Sequence, residues 1–245
     1  MDYIKRDLEE QIPALSEEYP CVLLIGPRQA GKTTLLKRLM DEKRTYVSLE
    51  DFEERRMAKT EPVLFLQKHS LPIFIDEIQK VSEIQNPYVD DPKAKIGFTD
   101  VLLGLMKIKN VDLYVTGSNS HMLSSDILTE FKDRGDEIRV NPLTYSEFCS
   151  AYRGDPRHAW REYYTYGGMP LVLSKTTHEE KSKYLKDLFS KTYLSDVLER
   201  NRISSGQPVL EDLLNIVSSC VGSLTNPSKL SKTFQSVKQT AISPY

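Results

Sequence analysis

Gly26-Pro27-Arg28-Gln29-Ala30-Gly31-Lys32-Thr33 fits the spacing G-x-x-x-x-G-K-[ST] between an apolar run and an amphipathic segment. That is the pattern of a loop whose backbone N–H groups gather around phosphate oxygens at a helix N-terminus. At background residue frequencies a chance match in a chain of this length has a probability of roughly 0.01. In this reading Gly26 and Gly31 let the loop curl, Lys32 bridges the β and γ phosphates, and the Thr33 hydroxyl meets Mg²⁺. A second element is Leu71-Pro72-Ile73-Phe74-Ile75-Asp76-Glu77, an apolar run that ends in two carboxylates. Successive strand side chains alternate in direction, so Asp76 can face the Mg²⁺ shell while Glu77, just past the strand, polarises a water in line with the γ-phosphate. A third is Thr116-Gly117-Ser118-Asn119, where Ser118 or Asn119 either bonds the attacking water or simply makes a turn. Arg134 precedes a strand-like run and is either a cation for the transferring phosphoryl group or a solvated surface arginine.

These groups need a scaffold that brings strand ends together. Apolar runs alternate with amphipathic segments through the first 150 residues, which predicts an α/β fold with a parallel sheet covered on both faces. Strands are expected at 21–25, 45–49, 72–75, 111–116 and 137–140, in the order 5-1-4-3-2. Helices are expected near 2–15, 32–41, 51–59, 99–109 and 125–132, with the polar segment 85–93 as a loop. After Pro142 the pattern turns helical. Thr144-Tyr145-Ser146-Glu147 is a capping box, and Asp155-Pro156 announces a helix that Gly167-Gly168 ends. A long helix is expected over 179–200, then one burying Leu210, Leu213, Leu214, Val217 and Val221 on a single stripe, then one marked by Leu230, Phe234 and Val237.

Composition narrows the partners. With 39% hydrophobic residues, 28% charged, and 33 Lys+Arg against 35 Asp+Glu, the whole surface is not built for nucleic acid or an anionic membrane. No run approaches a membrane span and the start is not signal-like, so a cytoplasmic location without membrane attachment is expected. The three cysteines and four histidines fall at no metal-ligand spacing, and Cys21, in Cys21-Val22-Leu23-Leu24-Ile25, is expected as a buried hydrophobe.

Taken in order, Gly26 to Leu35 with Thr34 included, Asp76-Glu77-Ile78-Gln79, Thr116-Gly117-Ser118, Pro142 to Phe148 and Tyr166-Gly167-Gly168-Met169-Pro170 resemble the successive motifs of prokaryotic AAA-type P-loop ATPases whose C-terminal half is a domain of unknown function. The resemblance implies an ATPase domain over 1–150, a helical lid over 151–220, and over 221–245 the opening of a winged-helix-like segment in a truncated member. It implies ATP and Mg²⁺ as cofactors, Thr34 beside the nucleotide, a sensor at Ser118 and an arginine role at Arg134. Asp133 stands where the family often has glycine. The expected function is slow, Mg²⁺-dependent ATP hydrolysis coupled to conformational change in the C-terminal half. The alternative is a DNA-associated regulator that uses ATP as an occupancy switch, with DNA or a protein as partner; the three lysines after Val221 fit it. A small-molecule kinase ranks below both, and the lack of an Asn-Lys-x-Asp segment disfavours GTP.

Overall fold

The computed structural model describes residues 3–39, 44–69, 72–81, 84–86, 89–91, 93–106, 112–117, 135–194, 198 and 207–238. The apolar runs form β1 (Cys21–Ile25), β2 (Thr45–Ser48) and β3 (Ile73–Asp76), then a short antiparallel pair β4 (Ile84–Gln85) and β5 (Lys95–Ile96), then β6 (Leu113–Gly117) and β7 (Gly135–Arg139). The main sheet is ordered β2-β3-β6-β1-β7. Each neighbouring pair in it is parallel. With the β4-β5 pair left out of the count this is the expected order read from the opposite edge; the pair itself is an addition to the expected loop.

Side chains of β1 alternate between two cores. Leu23 and Ile25 join Ile73, Ile75, Leu113, Val115 and Phe65 on one face. Val22 and Leu24 join Phe74, Tyr114, Leu35 and Leu36 on the other. Both faces of β1, β3 and β6 are therefore dry, which is why these strands are apolar at nearly every position. Cys21 is buried as expected, and that burial, with a smaller push from Asp112, raises its thiol well above the ordinary range.

Helices α1 (Gln11–Glu18) and α2 (Lys32–Leu39) serve the second core; α3 (Phe52–Thr60), α4 (Pro62–Lys68) and α5 (Phe98–Leu105) serve the first. The first helix starts later than expected. A helix over 2–15 would put Pro13 in its interior, where the ring removes a hydrogen bond and clashes with the preceding turn. Beginning at Gln11 leaves Pro13 in the first turn, and frees Arg6 and Asp7 for contacts far along the chain. The expected helix at 125–132 lies outside the described residues. Helix α4 was not anticipated; Pro62 opens it directly after α3.

Beyond the sheet come α6 (Tyr145–Ala151), α7 (Ala159–Tyr166) and α8 (His178–Leu188), the last continuing into a π-helical turn at Phe189–Leu194, then α9 (Gln207–Ser219) and α10 (Pro227–Lys238). The chain divides into two compact units, Met1–Thr176 and Thr177–Tyr245. In the second, the expected buried stripe is corrected: α9 ends at Ser219, so Val221 lies past it at 83% exposure, Val217 is exposed, and Ile216 is the buried residue. Phe234 is buried as the period of α10 requires, whereas Val237 is exposed. Among the described residues no helix is long and apolar enough to cross a membrane.

Two contacts tie the α6–α7 segment to the N-terminal segment and to the stretch that follows β7. The capping box forms, with the Glu147 N–H donating to Thr144 Oγ1 at 3.2 Å and the Thr144 N–H to Glu147 Oε2 at 2.8 Å. The other carboxylate oxygen of Glu147 accepts the Asp7 N–H at 2.9 Å and Arg6 Nε at 3.0 Å. Burial works against ionisation of Glu147, but the Asp7 and Thr144 N–H groups and Arg6 outweigh it and hold its carboxyl below the ordinary 4.5. Farther on, the Leu143 N–H donates to Gly168 O at 2.7 Å. A Cβ on Gly168 would lie 2.2 Å from Leu143 O, so only glycine lets the two segments meet.

Gly168→Ala is expected to destabilise the protein by about 1–3 kcal/mol in urea unfolding, the cost of forcing backbone apart. A carboxyl held below its ordinary value adds stability that is present above that value and lost as pH falls through the folded one. Glu147→Gln is therefore expected to be less stable than wild type at neutral pH, with the deficit shrinking on acidification below the ordinary 4.5; urea midpoints across that range check it.

Candidate functional site

Register places the site. Ile25 pairs with Gly117 on one side and Arg139 on the other, and Ser48 pairs with Asp76, so the C-terminal ends of the sheet strands share one edge. That edge is where parallel α/β sheets hold ligands. The loop from Gly26 leaves β1 there and enters α2 at Lys32. A Cβ on Gly26 would lie 2.2 Å from Val140 O, so the loop passes the end of β7 with no room for a side chain.

Lys32 is only 4% exposed, and its amine donates to Gly26 O at 2.8 Å and Pro27 O at 3.0 Å. Burial lowers its pKa, Arg28 adds to that, and Glu77 and Asp76 oppose it. The amine thus rests on the carbonyls of its own loop, close to where phosphates would enter.

Asp76 is held by three hydroxyls. Its Oδ2 accepts Thr33 Oγ1 at 2.7 Å and the Tyr46 hydroxyl at 2.6 Å, while Oδ1 accepts the Thr116 hydroxyl. Thr116 Oγ1 in turn accepts the Glu77 N–H at 3.1 Å. Burial raises the Tyr46 pKa, and the hydrogen bond to Asp76 raises it further. Glu77 has φ 60° and ψ 47°, a left-handed conformation unusual for a residue with a side chain. It turns the chain immediately after β3 and leaves Glu77 on the cleft.

Thr33 and Asp76, both read from the sequence as facing Mg²⁺, meet directly in the structure. Two hard oxygen donors beside a phosphate-binding loop suit Mg²⁺, which takes one or two protein oxygens and completes its shell with phosphates and water. Among the described residues no group of three or more His, Cys, Asp or Glu could hold a metal by itself. Ser118, Asn119 and Arg134 lie outside the described residues.

A cleft of about 500 Å³ opens over the loop, lined by Gln29, Gly31, Lys32, Thr33, Thr34 and Leu35 of the loop and α2, by Glu77, and by Tyr3, Ile4, Arg6, Leu143, Pro170 and Leu171, the last three with Ile4 making its apolar side. Its size is that of a small-molecule site. The apolar side escaped the sequence reading, as did Tyr46 and Thr116. For Thr116 a signal existed, because it opens the polar segment whose later residues drew the attention. For Tyr3 and Ile4 the only signal was an amphipathic start, and 140 residues separate Tyr3 from Leu143.

Residues 18–149 match the model of the AAA domain, and residues 157–245 match a domain of unknown function (DUF8612). An uncharacterized protein of Haemophilus influenzae is 27% identical over 235 residues, covering 87% of this chain and 55% of the relative. The uncharacterized protein MJ1544 of Methanocaldococcus jannaschii is 22% identical over 202 residues, covering 74% and 42%. The chain thus spans about half the length of these relatives. In fold it is similar to the Walker-type ATPase Paby2304 of Pyrococcus abyssi, with a TM-score of 0.66 at 17% identity, covering 99% of this chain and 86% of that one. Through residues 18–149, more than half its length, the chain belongs to the AAA-domain family of nucleotide-binding P-loop ATPases.

Proposed function

We propose that the chain binds ATP with Mg²⁺ in this cleft and hydrolyses it slowly, and that the nucleotide state is passed to the C-terminal half. The observation that carries the reading is the meeting of Thr33 and Asp76 at 2.7 Å, with Glu77 next along the same strand end. The base lies against Tyr3, Ile4, Leu143, Pro170 and Leu171, and the phosphates lie on the loop N–H groups, with Gly26, Gly31 and Thr34 shaping that cradle. Lys32 exchanges two carbonyls for phosphate oxygens, and its lost hydration is restored by a stronger, charged partner. Thr33 and Asp76 would hold Mg²⁺, which would supply neutralisation of phosphate charge.

Glu77 orients a water and accepts its proton while the water oxygen bonds to the γ-phosphorus. The bond from that phosphorus to the β–γ bridging oxygen breaks, ADP leaves with the electron pair, and the proton passes to inorganic phosphate. Ser118 or Asn119 as sensor and Arg134 as the cation on the transferring group complete the proposal. Coupling to the C-terminal half follows from chain connectivity, because Pro170 and Leu171 on the cleft wall precede the second compact unit by a few residues.

Phosphate release from purified protein with ATP and Mg²⁺ tests the reading. Glu77→Gln is expected to lower turnover by about 100-fold or more while ATP affinity stays within about threefold. Lys32→Ala is expected to weaken ATP binding itself, and chelating Mg²⁺ is expected to stop release. Wild-type turnover in Glu77→Gln would remove that residue from the mechanism; release that persists in Lys32→Ala would place hydrolysis elsewhere.

A further inference from the structure

Arg6 lies far outside every motif, yet it is 6% exposed and its guanidinium reaches three separate acceptors. Nε donates to Glu147 Oε1 at 3.0 Å, one terminal nitrogen to Ala30 O at 3.0 Å, and the other to Asn141 O at 2.7 Å. Glu147 meets the charge, so the cation is buried with a partner. The two carbonyls are not needed for neutralisation. One of them, Ala30 O, belongs to the phosphate-binding loop, and it shares its peptide unit with the N–H of Gly31.

A peptide unit is planar and trans, so its C=O and N–H point in opposite directions. Arg6 lines the same cleft as Gly31, and holding Ala30 O on its guanidinium fixes the Gly31 N–H in the direction opposite to that carbonyl. The lock matters here because Gly31 has φ 101°, a conformation only glycine adopts readily, and glycine also permits the peptide to flip. We infer that Arg6 is a positioning residue for nucleotide binding: through Ala30 O it fixes the peptide plane that aims the Gly31 N–H at phosphate. Through Asn141 O and Glu147 it ties that plane to the end of β7 and the start of α6. The inference rests on the reading of this loop as the phosphate site.

The planar three-point fork is specific to arginine, and lysine offers one nitrogen in its place. Arg6→Lys keeps a cation beside Glu147 and so protects the fold, whereas Arg6→Met leaves a buried carboxylate unpaired. The test is isothermal titration calorimetry of the full chain with MgADP and MgATP, beside urea unfolding and the Gly31 amide resonance in ¹⁵N-labelled protein. Arg6→Lys is expected to bind both nucleotides on the order of tenfold more weakly. Its urea midpoint is expected to fall by less than that of Arg6→Met, because Glu147 keeps a cation beside it, and its Gly31 amide is expected to shift less on adding ADP. A purely structural Arg6 would lower the midpoint and leave the Kd of the folded protein unchanged, and that result overturns the inference. Should Arg6→Met fold, wild-type affinity in it overturns the inference equally. A wild-type chain that binds neither nucleotide would instead overturn the reading of the cleft, and the inference with it.

Discussion

The site depends on one buried carboxylate. Asp76 is 3% exposed, and the cost of removing an anion from water is met by hydroxyls from three elements: Thr33 on α2, Tyr46 on β2 and Thr116 on β6. Each is a neutral donor, so together they fix the carboxylate without cancelling its charge, and it stays attractive to a cation. The same three bonds draw the first turn of α2 onto the strand edge and hold β2, β3 and β6 in step there. Because Thr116 also accepts the Glu77 N–H, the left-handed turn that presents Glu77 depends on the orientation of Asp76 as well.

The loop side of the cleft has a matching economy. Lys32 is buried as a cation on two loop carbonyls, and its lowered pKa records the discomfort of that position. In the proposed binding mode an incoming phosphate would offer the amine a charged partner in place of those two carbonyls. The apolar part of the cleft lining includes Ile4, Leu143, Pro170 and Leu171. Those last residues are brought together by the close approach of Leu143 to Gly168. The loop and the start of α6 are joined through Arg6, which bonds Ala30 O on one and Glu147 on the other.

Much of this could be read from residues before any coordinates. The loop spacing, the strand ending in Asp76-Glu77 and the capping box at Thr144 each carry a local chemical logic, and local logic survives folding. The buried strands of the sheet were legible for the same reason, since fully apolar runs mark strands covered on both faces. What escaped was set by distance along the chain. Arg6 meets Glu147 across 141 residues, and Tyr46 meets Asp76 across 30, with no spacing rule to connect them. The N-terminal helix was misplaced because amphipathic periodicity outweighed Pro13, although proline's missing donor decides where a helix can begin. The stripe through Val221 failed because periodicity continues in the sequence after α9 has stopped.

A structure of the full chain with Mg²⁺ and a non-hydrolysable ATP analogue addresses the central claim most directly. The expected result has the Lys32 amine on phosphate oxygens and no longer on Gly26 O and Pro27 O, the metal at Thr33 and Asp76, and the base between Tyr3 and Pro170. An analogue bound elsewhere, or Lys32 still seated on its loop carbonyls with the cleft filled, would contradict the account.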